Sequence, residues 1–385
     1  MNIYLRKVVI VVNTRLLVKD RLDGIGRFAF ETLKRITQQH PEVHFVFLFD
    51  REIHGDFIFS DNITPVKLFP PARRPWLWNI WFNFSVNGVL RDLKPDLFLS
   101  PDGYLPLTGK TKCLPVIHDL NFEHFPHDMP ASYARWYRKK FPLFAKRAVR
   151  IATVSEFSKK DIAERYGIAK GKIDVVYNGA SAGFHPLTNE QIEMVRKKIT
   201  NGAPYFLYIG ALHPRKNLER LVRAFGEFRK KNNSKTKLVI AGGNYWKYEG
   251  LKKAIENVSD KNEIIFTGRL QEGELHQVMG GALALAYVPY FEGFGIPIVE
   301  AMACDVPVLT SDVTAMPEVG GDAVLYVDPL SEEKISAALA LLDQDDELRK
   351  NLVAKAKSQR EKFSWDKTAN ALWNSIEKAI AENPE

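Results

Sequence analysis

A strand, a glycine-rich turn and a helix follow one another around the segment Tyr290-Phe291-Glu292-Gly293-Phe294-Gly295-Ile296-Pro297-Ile298-Val299-Glu300-Ala301-Met302-Ala303. The apolar run from Ala282 to Val288 predicts a buried strand, and Pro297 suits the first turn of a helix. A helix N-terminus offers backbone N–H groups and the positive end of the helix dipole, so it favours phosphate. Glu292 and Glu300 flank the turn, and carboxylates accept hydrogen bonds from sugar hydroxyls. The segment therefore predicts a site for a sugar–phosphate compound.

The length and composition indicate a two-domain globular protein. A chain of 385 residues is long for one core, and contents of 45% hydrophobic and 26% charged residues are typical of globular domains. No apolar run approaches the roughly 20 residues of a membrane span, and the N-terminus lacks a signal-peptide pattern. Cys113 and Cys304 form no metal or redox motif. We expect a cytoplasmic protein in which both thiols act as small apolar residues.

The positive charge is concentrated in the first half of the chain. Residues 1–184 hold 28 Lys and Arg against 18 Asp and Glu, a net charge of +10, whereas the remainder carries −2. We expect this half to meet an anionic partner, such as a membrane surface, a phosphate-bearing acceptor or a nucleic acid. No recognised nucleic-acid-binding motif accompanies the charge, so nucleic acid is not the expected partner.

Apolar runs alternate with helical periodicity in both halves of the chain. This alternation predicts an α/β protein with two tandem Rossmann-like, doubly wound domains, covering residues 1–184 and 185–365. A turn and loop between 178 and 186 form the expected linker. Ligands of such sheets bind beyond the carboxyl ends of the strands, so we expect the site in a cleft that the two domains face.

Gly24-x-Gly26 lies between the first predicted strand and the first predicted helix. We favour a loop in which phosphate approaches the backbone, while the alternative is simply a tight turn. Dinucleotide binding would need a third glycine where Ala29 stands and an acidic residue about 20 positions on, for which Asp50 is the candidate.

Two further polar groups follow predicted strands. Arg215 and Lys216 lie in the turn between Gly210 and Asn217, where two fixed cations suit a diphosphate leaving group. The alternative for this pair is a solvated basic turn. His118 follows the apolar strand before it and can hydrogen-bond a reacting sugar, although a structural histidine is the alternative.

Basic residues also alternate with aromatic residues in two stretches, 73–82 and 135–150. Such stretches can bind the interface of an anionic bilayer. The alternative is an ordinary amphipathic helix with a solvated basic face.

The motifs, taken in order, resemble those of the retaining glycosyltransferases of family four, which have the GT-B fold. The resemblance covers nearly the whole chain and extends to bacterial mannosyltransferases of surface-polysaccharide synthesis. It rests on seven short segments: Gly24-Ile25-Gly26-Arg27, His118-Asp119, 153–158, Asn178-Gly179, 210–217, Gly268-Arg269-Leu270 and 292–300.

The resemblance implies that the C-terminal domain binds a nucleotide-sugar and that the N-terminal domain presents a glycan or lipid-linked acceptor. The final helix, 366–385, should cross back onto the N-terminal domain. In the C-terminal domain, the resemblance implies that Glu300 binds the ribose and that Arg269 and Leu270 contact the base. It implies that Arg215 and Lys216 neutralise the diphosphate, and that the donor sugar and diphosphate contact Glu292 and the amides of Gly293, Phe294, Gly295 and Ile296. In the N-terminal domain, it implies that Gly24 and Gly26 contact phosphate and that His118 lies near the transferred sugar.

The expected mechanism is front-face substitution, because Glu292 would be committed to hydroxyls and no carboxylate nucleophile is evident. No group with metal-ligand spacing accompanies these motifs, so no metal and no cofactor is expected. One departure is Ala211, where many family members carry arginine. Mannose from GDP-mannose is the favoured transfer, at the inner face of the cytoplasmic membrane. The alternatives are an epimerase or phosphorylase of similar fold, or a basic nucleic-acid-binding protein.

Overall fold

The computed structural model describes residues 7–22, 24–72, 74–243, 249–258 and 261–382. The chain divides into two compact units, the first ending at Asn178 and resuming at Trp365, the second running from Gly179 to Ser364. Residues 179–184, which the sequence assigned to the first domain, belong to the second unit. Ala180 there pairs with Ser364 in a parallel bridge. Each unit has its own hydrophobic core.

The sheets of the first unit are parallel. Five strands have the order β3-β2-β1-β4-β5, and β6 pairs with β7. All but the first residue of β2 are buried, as expected for a parallel strand covered on both faces. The strands are β1 Val9–Asn13, β2 His44–Phe49, β3 Ile63–Lys67, β4 Leu97–Ser100, β5 Cys113–Pro115, β6 Ile151–Thr153 and β7 Ile173–Val175.

Six helices of the first unit connect these strands. Helix α1 buries Phe28, Leu33 and Ile36 at helical spacing, and Ser155 caps α6 by accepting a hydrogen bond from the N–H of Ser158. The sequence predicts both features, from the spacing of these apolar residues and from a serine placed directly before the helix. The helices are α1 Gly24–Gln39, α2 Pro75–Ile80, α3 Asn87–Leu93, α4 Asn121–His124, α5 Ala131–Arg147 and α6 Glu156–Tyr166.

The sequence from 79 to 93 predicts one regular helix, but the structure is irregular there. A π-helical turn, Trp81–Val86, separates α2 from α3. Trp81, Phe82 and Val86 are all buried, so this turn directs adjacent aromatic side chains into the core. Tertiary packing thus overrides the regular helix that the sequence predicted.

The second unit contains a six-stranded parallel sheet of order β10-β9-β8-β11-β12-β13. The sequence predicts strands at 205–209 and 237–241, and β8 and β9 have these bounds because both runs end sharply at a glycine. The strands are β8 Tyr205–Ile209, β9 Lys237–Ala241, β10 Ile264–Gly268, β11 Ala284–Tyr287, β12 Val308–Ser311 and β13 Leu325–Val327.

Helices surround this sheet, and the last helix of the chain belongs to the first unit. Helix α7 was not predicted, since only Thr200 of its residues is buried and no apolar stripe marks it. Its capping box, Thr188 with Gln191, was the available signal. The helices are α7 Asn189–Thr200, α8 Leu218–Asn232, α9 Glu249–Glu256, α10 Glu272–Gly280, α11 Ile296–Ala303, α12 Met316–Gly320, α13 Glu332–Gln344, α14 Asp346–Arg360 and α15 Trp365–Ala381.

Candidate active site

The loop after β8 holds two cations at the carboxyl end of the second sheet. Pro214–Lys216 form one turn of 3₁₀ helix, and Asn217 adopts a left-handed conformation with φ of 60° before α8 begins. The buried Asn217 side chain donates hydrogen bonds to the carbonyls of Val288, at 2.9 Å, and Pro329, at 2.7 Å. This side chain therefore ties the loop to the end of β11. The sequence assigned Asn217 no role, although asparagine tolerates the left-handed region better than most residues.

Arg215, Lys216 and Glu292 form one cluster. Nη1 of Arg215 donates to Oε1 of Glu292, and Nζ of Lys216 lies 2.5 Å from the same oxygen. Nζ of Lys216 also donates to the hydroxyl of Tyr287 at 2.6 Å, and Nη1 of Arg215 donates to the carbonyl of Phe291 at 3.2 Å. The two cations therefore share one carboxylate oxygen.

The electrostatics of the cluster fix the charge of Glu292. Burial alone would raise the pKa of this carboxyl, but the positive charges of Arg215 and Lys216 outweigh burial and lower the pKa to about 2. Burial and the neighbouring Glu292 charge raise the pKa of Tyr287 well above its usual range. At neutral pH the cluster thus holds two cations, one carboxylate and a neutral phenol.

The glycine-rich turn enters α11 as predicted. Gly295 precedes the helix with φ of 100°, and a Cβ there would lie 3.0 Å from Cε of Met316. Phe294 is buried and packs edge-on against Phe363 at a centroid distance of 5.5 Å. The N–H of Glu292 donates to the hydroxyl of Thr314 at 3.3 Å. These contacts hold the turn, including Gly293 and Ile296, at the start of the helix.

Three further residues predicted for the donor site, Glu300, Arg269 and Leu270, lie on the same unit. Glu300 is half-buried in α11. Its charge lies close enough to Cys304 to reinforce the effect of burial, which raises the pKa of that thiol to about 12. Arg269 is exposed and Leu270 half-buried, directly after β10 and the positive-φ residue Gly268.

The glycine that follows β9 packs directly against the backbone that follows β8. A Cβ on Gly242 would lie 2.2 Å from the carbonyl oxygen of Gly210, so only glycine fits there. Ala211, which follows Gly210, is exposed. Its carbonyl accepts a hydrogen bond from the Tyr208 hydroxyl at 3.3 Å. The position for which the family resemblance implies arginine is thus open to solvent in this chain.

His118 lies in the first unit, just beyond β5. Its Nε2 donates to the carbonyl of Pro101 at 2.8 Å, and its ring packs edge-on against Phe28 at 5.0 Å. Because a carbonyl oxygen only accepts, Nε2 carries a hydrogen, and Nδ1 is the acceptor atom of the neutral ring. The histidine is oriented by the protein and half-buried.

The glycines of the first unit differ in their surroundings. Gly24 begins α1, and a Cβ there would meet no described atom within 4 Å, whereas Gly26 is buried. Asp50 is buried and accepts hydrogen bonds from the side chain of Arg51 and the N–H of Ala72. Asp50, the carboxylate that would bind the ribose of a dinucleotide, thus already accepts hydrogen bonds from protein groups.

The basic and aromatic stretches prove partly structural. Arg73 lies outside the described residues, and Trp78, Trp81 and Phe82 belong to the core. Arg147 donates to the carbonyls of Gly109 and Thr111, while Arg150 pairs with Asp174 and Glu382. These members of the two stretches are therefore structural, and binding of an anionic membrane by the rest stays a prediction.

The described residues include no group of three or more His, Cys, Asp or Glu side chains arranged to hold a metal ion. None of the helices among them combines the length and hydropathy that crossing a bilayer requires. Metal independence remains a prediction.

Two family models match the chain. The model for glycosyltransferase family 4 matches residues 22–183, and the model for glycosyl transferases group 1 matches residues 189–359. Together they cover most of both units.

Individual proteins are similar over most of their length. O-antigen chain mannosyltransferase B of Escherichia coli is 28% identical, covering 93% of this chain and 97% of the relative. O-antigen chain mannosyltransferase RfbU of Salmonella typhimurium is 28% identical, covering 76% and 80% respectively. The structure of HepE from Anabaena, solved with UDP and glucose, is 15% identical or less and shows the same fold, with a TM-score of 0.75 over 96% of this chain and 100% of that one. The chain therefore belongs to the glycosyltransferases of family 4 with the GT-B fold.

Proposed function

We propose that the protein is a retaining mannosyltransferase that moves mannose from GDP-mannose to a glycan or lipid-linked acceptor in O-antigen synthesis. The observation that carries this proposal is the cluster of Arg215 and Lys216 on one carboxylate oxygen of Glu292, beside the start of α11. The names of the two O-antigen relatives support the choice of sugar and of pathway.

The cluster suits a departing nucleoside diphosphate. Two fixed cations share a single carboxylate, so the cluster retains positive charge at neutral pH. Negative charge develops on the diphosphate as the glycosidic bond breaks, and preorganised cations stabilise that charge without rearranging solvent. Backbone N–H groups at the start of α11, near Gly293 to Ile296, would add further donors.

The remaining residues receive roles in donor recognition. Oε2 of Glu292 would accept a hydroxyl of the transferred sugar, and Glu300 the ribose hydroxyls. Arg269 and Leu270 would contact the base. From the first unit, Gly24 and Gly26 would approach phosphate, and His118 would bind near the transferred sugar.

Front-face substitution fits the state of Glu292. A carboxylate held by two cations is a weak nucleophile, which argues against a covalent glycosyl-enzyme at this residue. The acceptor oxygen instead bonds to the anomeric carbon on the leaving-group side. The bond from that carbon to the diphosphate oxygen breaks with its electron pair, and the acceptor proton passes to a diphosphate oxygen. This route needs neither a metal nor another cofactor.

A donor panel tests the proposal directly. The full chain would be incubated with GDP-, UDP- and ADP-sugars and a mannosyl acceptor, and released nucleoside diphosphate would be measured. We expect GDP-mannose to be turned over fastest, with an α-linked product by NMR. A β-linked product would exclude retention, and turnover of another donor alone would exclude GDP-mannose. An epimerase would instead isomerise the donor without releasing nucleotide, and family membership does not favour a nucleic-acid-binding role.

We also propose that the first unit binds the anionic inner face of the cytoplasmic membrane. Trp76, Ile80 and Phe84 recur every four residues and are exposed, and Arg74 is exposed beside them. Trp78 packs against Trp136 of α5 at 5.0 Å, which brings the stripe close to the basic helix. Exposed aromatic residues beside cations suit the interface of an anionic bilayer.

Sedimentation with vesicles tests this surface. The wild type should bind vesicles of phosphatidylglycerol and phosphatidylethanolamine and lose binding in high salt. The double variant Trp76→Ala, Phe84→Ala should bind at least about tenfold more weakly. Leu330→Ala, which removes an exposed apolar side chain of the second unit, is the matched control. Equal binding of wild type and double variant would exclude the stripe as the membrane surface.

A further inference from the structure

An open cavity of about 480 Å³ lies at the carboxyl ends of β1, β2 and β3. Three segments that follow these strands line it: 17–19, 50–54 and 67–71, together with Phe57. All of them belong to the first unit. The cavity therefore stands where parallel sheets bind ligands, and its volume lies within the range of roughly 300–1,000 Å³ of small-molecule sites.

One wall presents a rigid set of hydrogen-bond donors. Asp50 is buried and accepts from Nε of Arg51 at 2.7 Å and from Nη2 at 3.3 Å. The Asp50 carboxylate also accepts from the N–H of Ala72 at 3.0 Å. These bonds fix the plane of the guanidinium, and within the described part of the chain Nη1 of Arg51 makes no hydrogen bond. A planar fork held in this way is preorganised for a ligand.

The remainder of the cavity combines polar pairs with an exposed aromatic ring. Nζ of Lys67 donates to Glu52 at 2.8 Å, and Nζ of Lys19 lies 2.7 Å from Nε2 of His54. The ring of Phe69 is exposed at the same cavity. Hydrogen-bond donors and acceptors thus surround the apolar face of Phe69, which no other side chain in the described part of the chain covers.

The charges of the lining distinguish between ligand classes. Three cations, Lys19, Arg51 and Lys67, line the cavity with the exposed carboxylate of Glu52, while the Asp50 side chain is fully buried behind Arg51. Arg51 is already paired with Asp50 and Lys67 with Glu52, so a phosphate would compete with protein carboxylates for these cations. A sugar ring, by contrast, has hydroxyls that both donate and accept, and an apolar C–H face that packs on an aromatic ring.

We infer that this cavity binds a neutral saccharide unit of the acceptor, with its C–H face on Phe69 and its hydroxyls on Arg51 and Glu52. The inference rests on the proposed function, since a glycosyltransferase must bind an acceptor saccharide as well as its donor. It assigns the acceptor's sugar, rather than its phosphate or lipid, to the β1–β3 edge of the first sheet.

Binding of α-mannobiose to the full chain without donor tests the inference. Saturation-transfer NMR should detect binding by the wild type, and Phe69→Ala should weaken it about tenfold. Leu93→Ala, which truncates an exposed apolar residue of the same unit outside the cavity, is the matched control and should leave binding unchanged. Added salt should have little effect, because the ligand is neutral.

Several results would overturn the inference: no binding of mannobiose by the wild type, equal binding by wild type and Phe69→Ala, or displacement of mannobiose by inorganic pyrophosphate. Failure of the proposed function looks different, because mannobiose would still bind in a Phe69-dependent way while no nucleotide-sugar was turned over. Conversely, donor turnover with Phe69-independent binding would remove the cavity's role and leave the function standing.

Discussion

Each unit contains an arginine–carboxylate pair at the carboxyl ends of its sheet, and the two pairs differ in what surrounds them. In the first unit, Nε of Arg15 lies 2.5 Å from Asp102, with the side chains 8% and 4% exposed. In the second unit, Arg215 and Lys216 share Glu292, and these cations are 19% and 12% exposed. The first pair is balanced one to one, while the second has two cations for one carboxylate.

The groups around each pair determine whether it has charge left to bind a ligand. Asp102 also accepts hydrogen bonds from Asn13 and Ser100, and the Arg15 guanidinium lies 4.2 Å from the centroid of the Tyr104 ring. The pKa of Arg15 is raised, because Asp102 and Tyr104 outweigh the effect of burial. Protein groups thus saturate the first pair, whose role is structural. The second cluster retains charge that an anionic ligand can neutralise.

Removing Arg15 should have the largest effect. Arg15→Ala leaves Asp102 charged and buried, so we expect the free energy of unfolding of the first unit to fall by about 3–5 kcal/mol. Six of the seven tryptophans lie in this unit, so urea unfolding followed by tryptophan fluorescence reports on it. Arg91→Ala, which breaks an exposed pair with Asp92, should cost less than about 1 kcal/mol. Similar losses of unfolding free energy in Arg15→Ala and Arg91→Ala would contradict the structural role of the buried Arg15–Asp102 pair.

Removing Lys216 should instead affect catalysis. Lys216→Ala leaves Arg215 paired with Glu292, so the fold should persist while turnover of the donor falls about 100-fold. Lys231→Ala, at an exposed position on α8, is the control. Steady-state release of nucleoside diphosphate measures the effect. Normal transfer by Lys216→Ala would refute the diphosphate role.

The pH dependence of stability should identify the ionised Glu292. Its pKa is about 2 in the folded chain against an ordinary 4.5, so the carboxylate stabilises the fold above about pH 4.5 and loses this contribution as the pH falls toward 2. The stability difference between wild type and Glu292→Gln should be constant from neutral pH to about 5. Below about 4.5 it should shrink by about 1.4 kcal/mol per pH unit. Urea unfolding followed by circular dichroism measures it, and a difference that grows on acidification would contradict this assignment.

The smallest effect is expected from a substitution of Ala211, the exposed residue in the loop that also carries Arg215 and Lys216. Ala211→Arg adds a third cation near the carboxyl end of β8, and we expect about fivefold tighter binding of GDP by calorimetry. Ala211→Gln has similar length without the charge and should bind like the wild type. Equal affinity of the arginine variant and the wild type would place the diphosphate beyond the reach of residue 211.

Several elements were predictable because their signals are local. Strands β8 and β9 are continuous apolar runs with sharp ends, and α6 begins at a serine cap. Elements with weak local signals were missed, including β3, whose sequence Ile63–Lys67 contains a proline at the sheet edge, and the short strand β13. The π-helical turn was unpredictable because it results from packing of adjacent aromatic residues.

The sequence by itself determined the parallel α/β architecture and the loops that carry Arg215, Lys216 and Glu292. Strand ends and glycine turns are specified by short stretches of neighbouring residues, so they can be recognised locally. Only the tertiary structure decided that Glu292, 76 residues from Lys216, holds both cations, and that Asn217 and Tyr287 support them. It also decided that Arg15 and Asp102 form a closed pair. The physical reason is that burial and charge balance depend on residues distant in sequence, which no local pattern specifies.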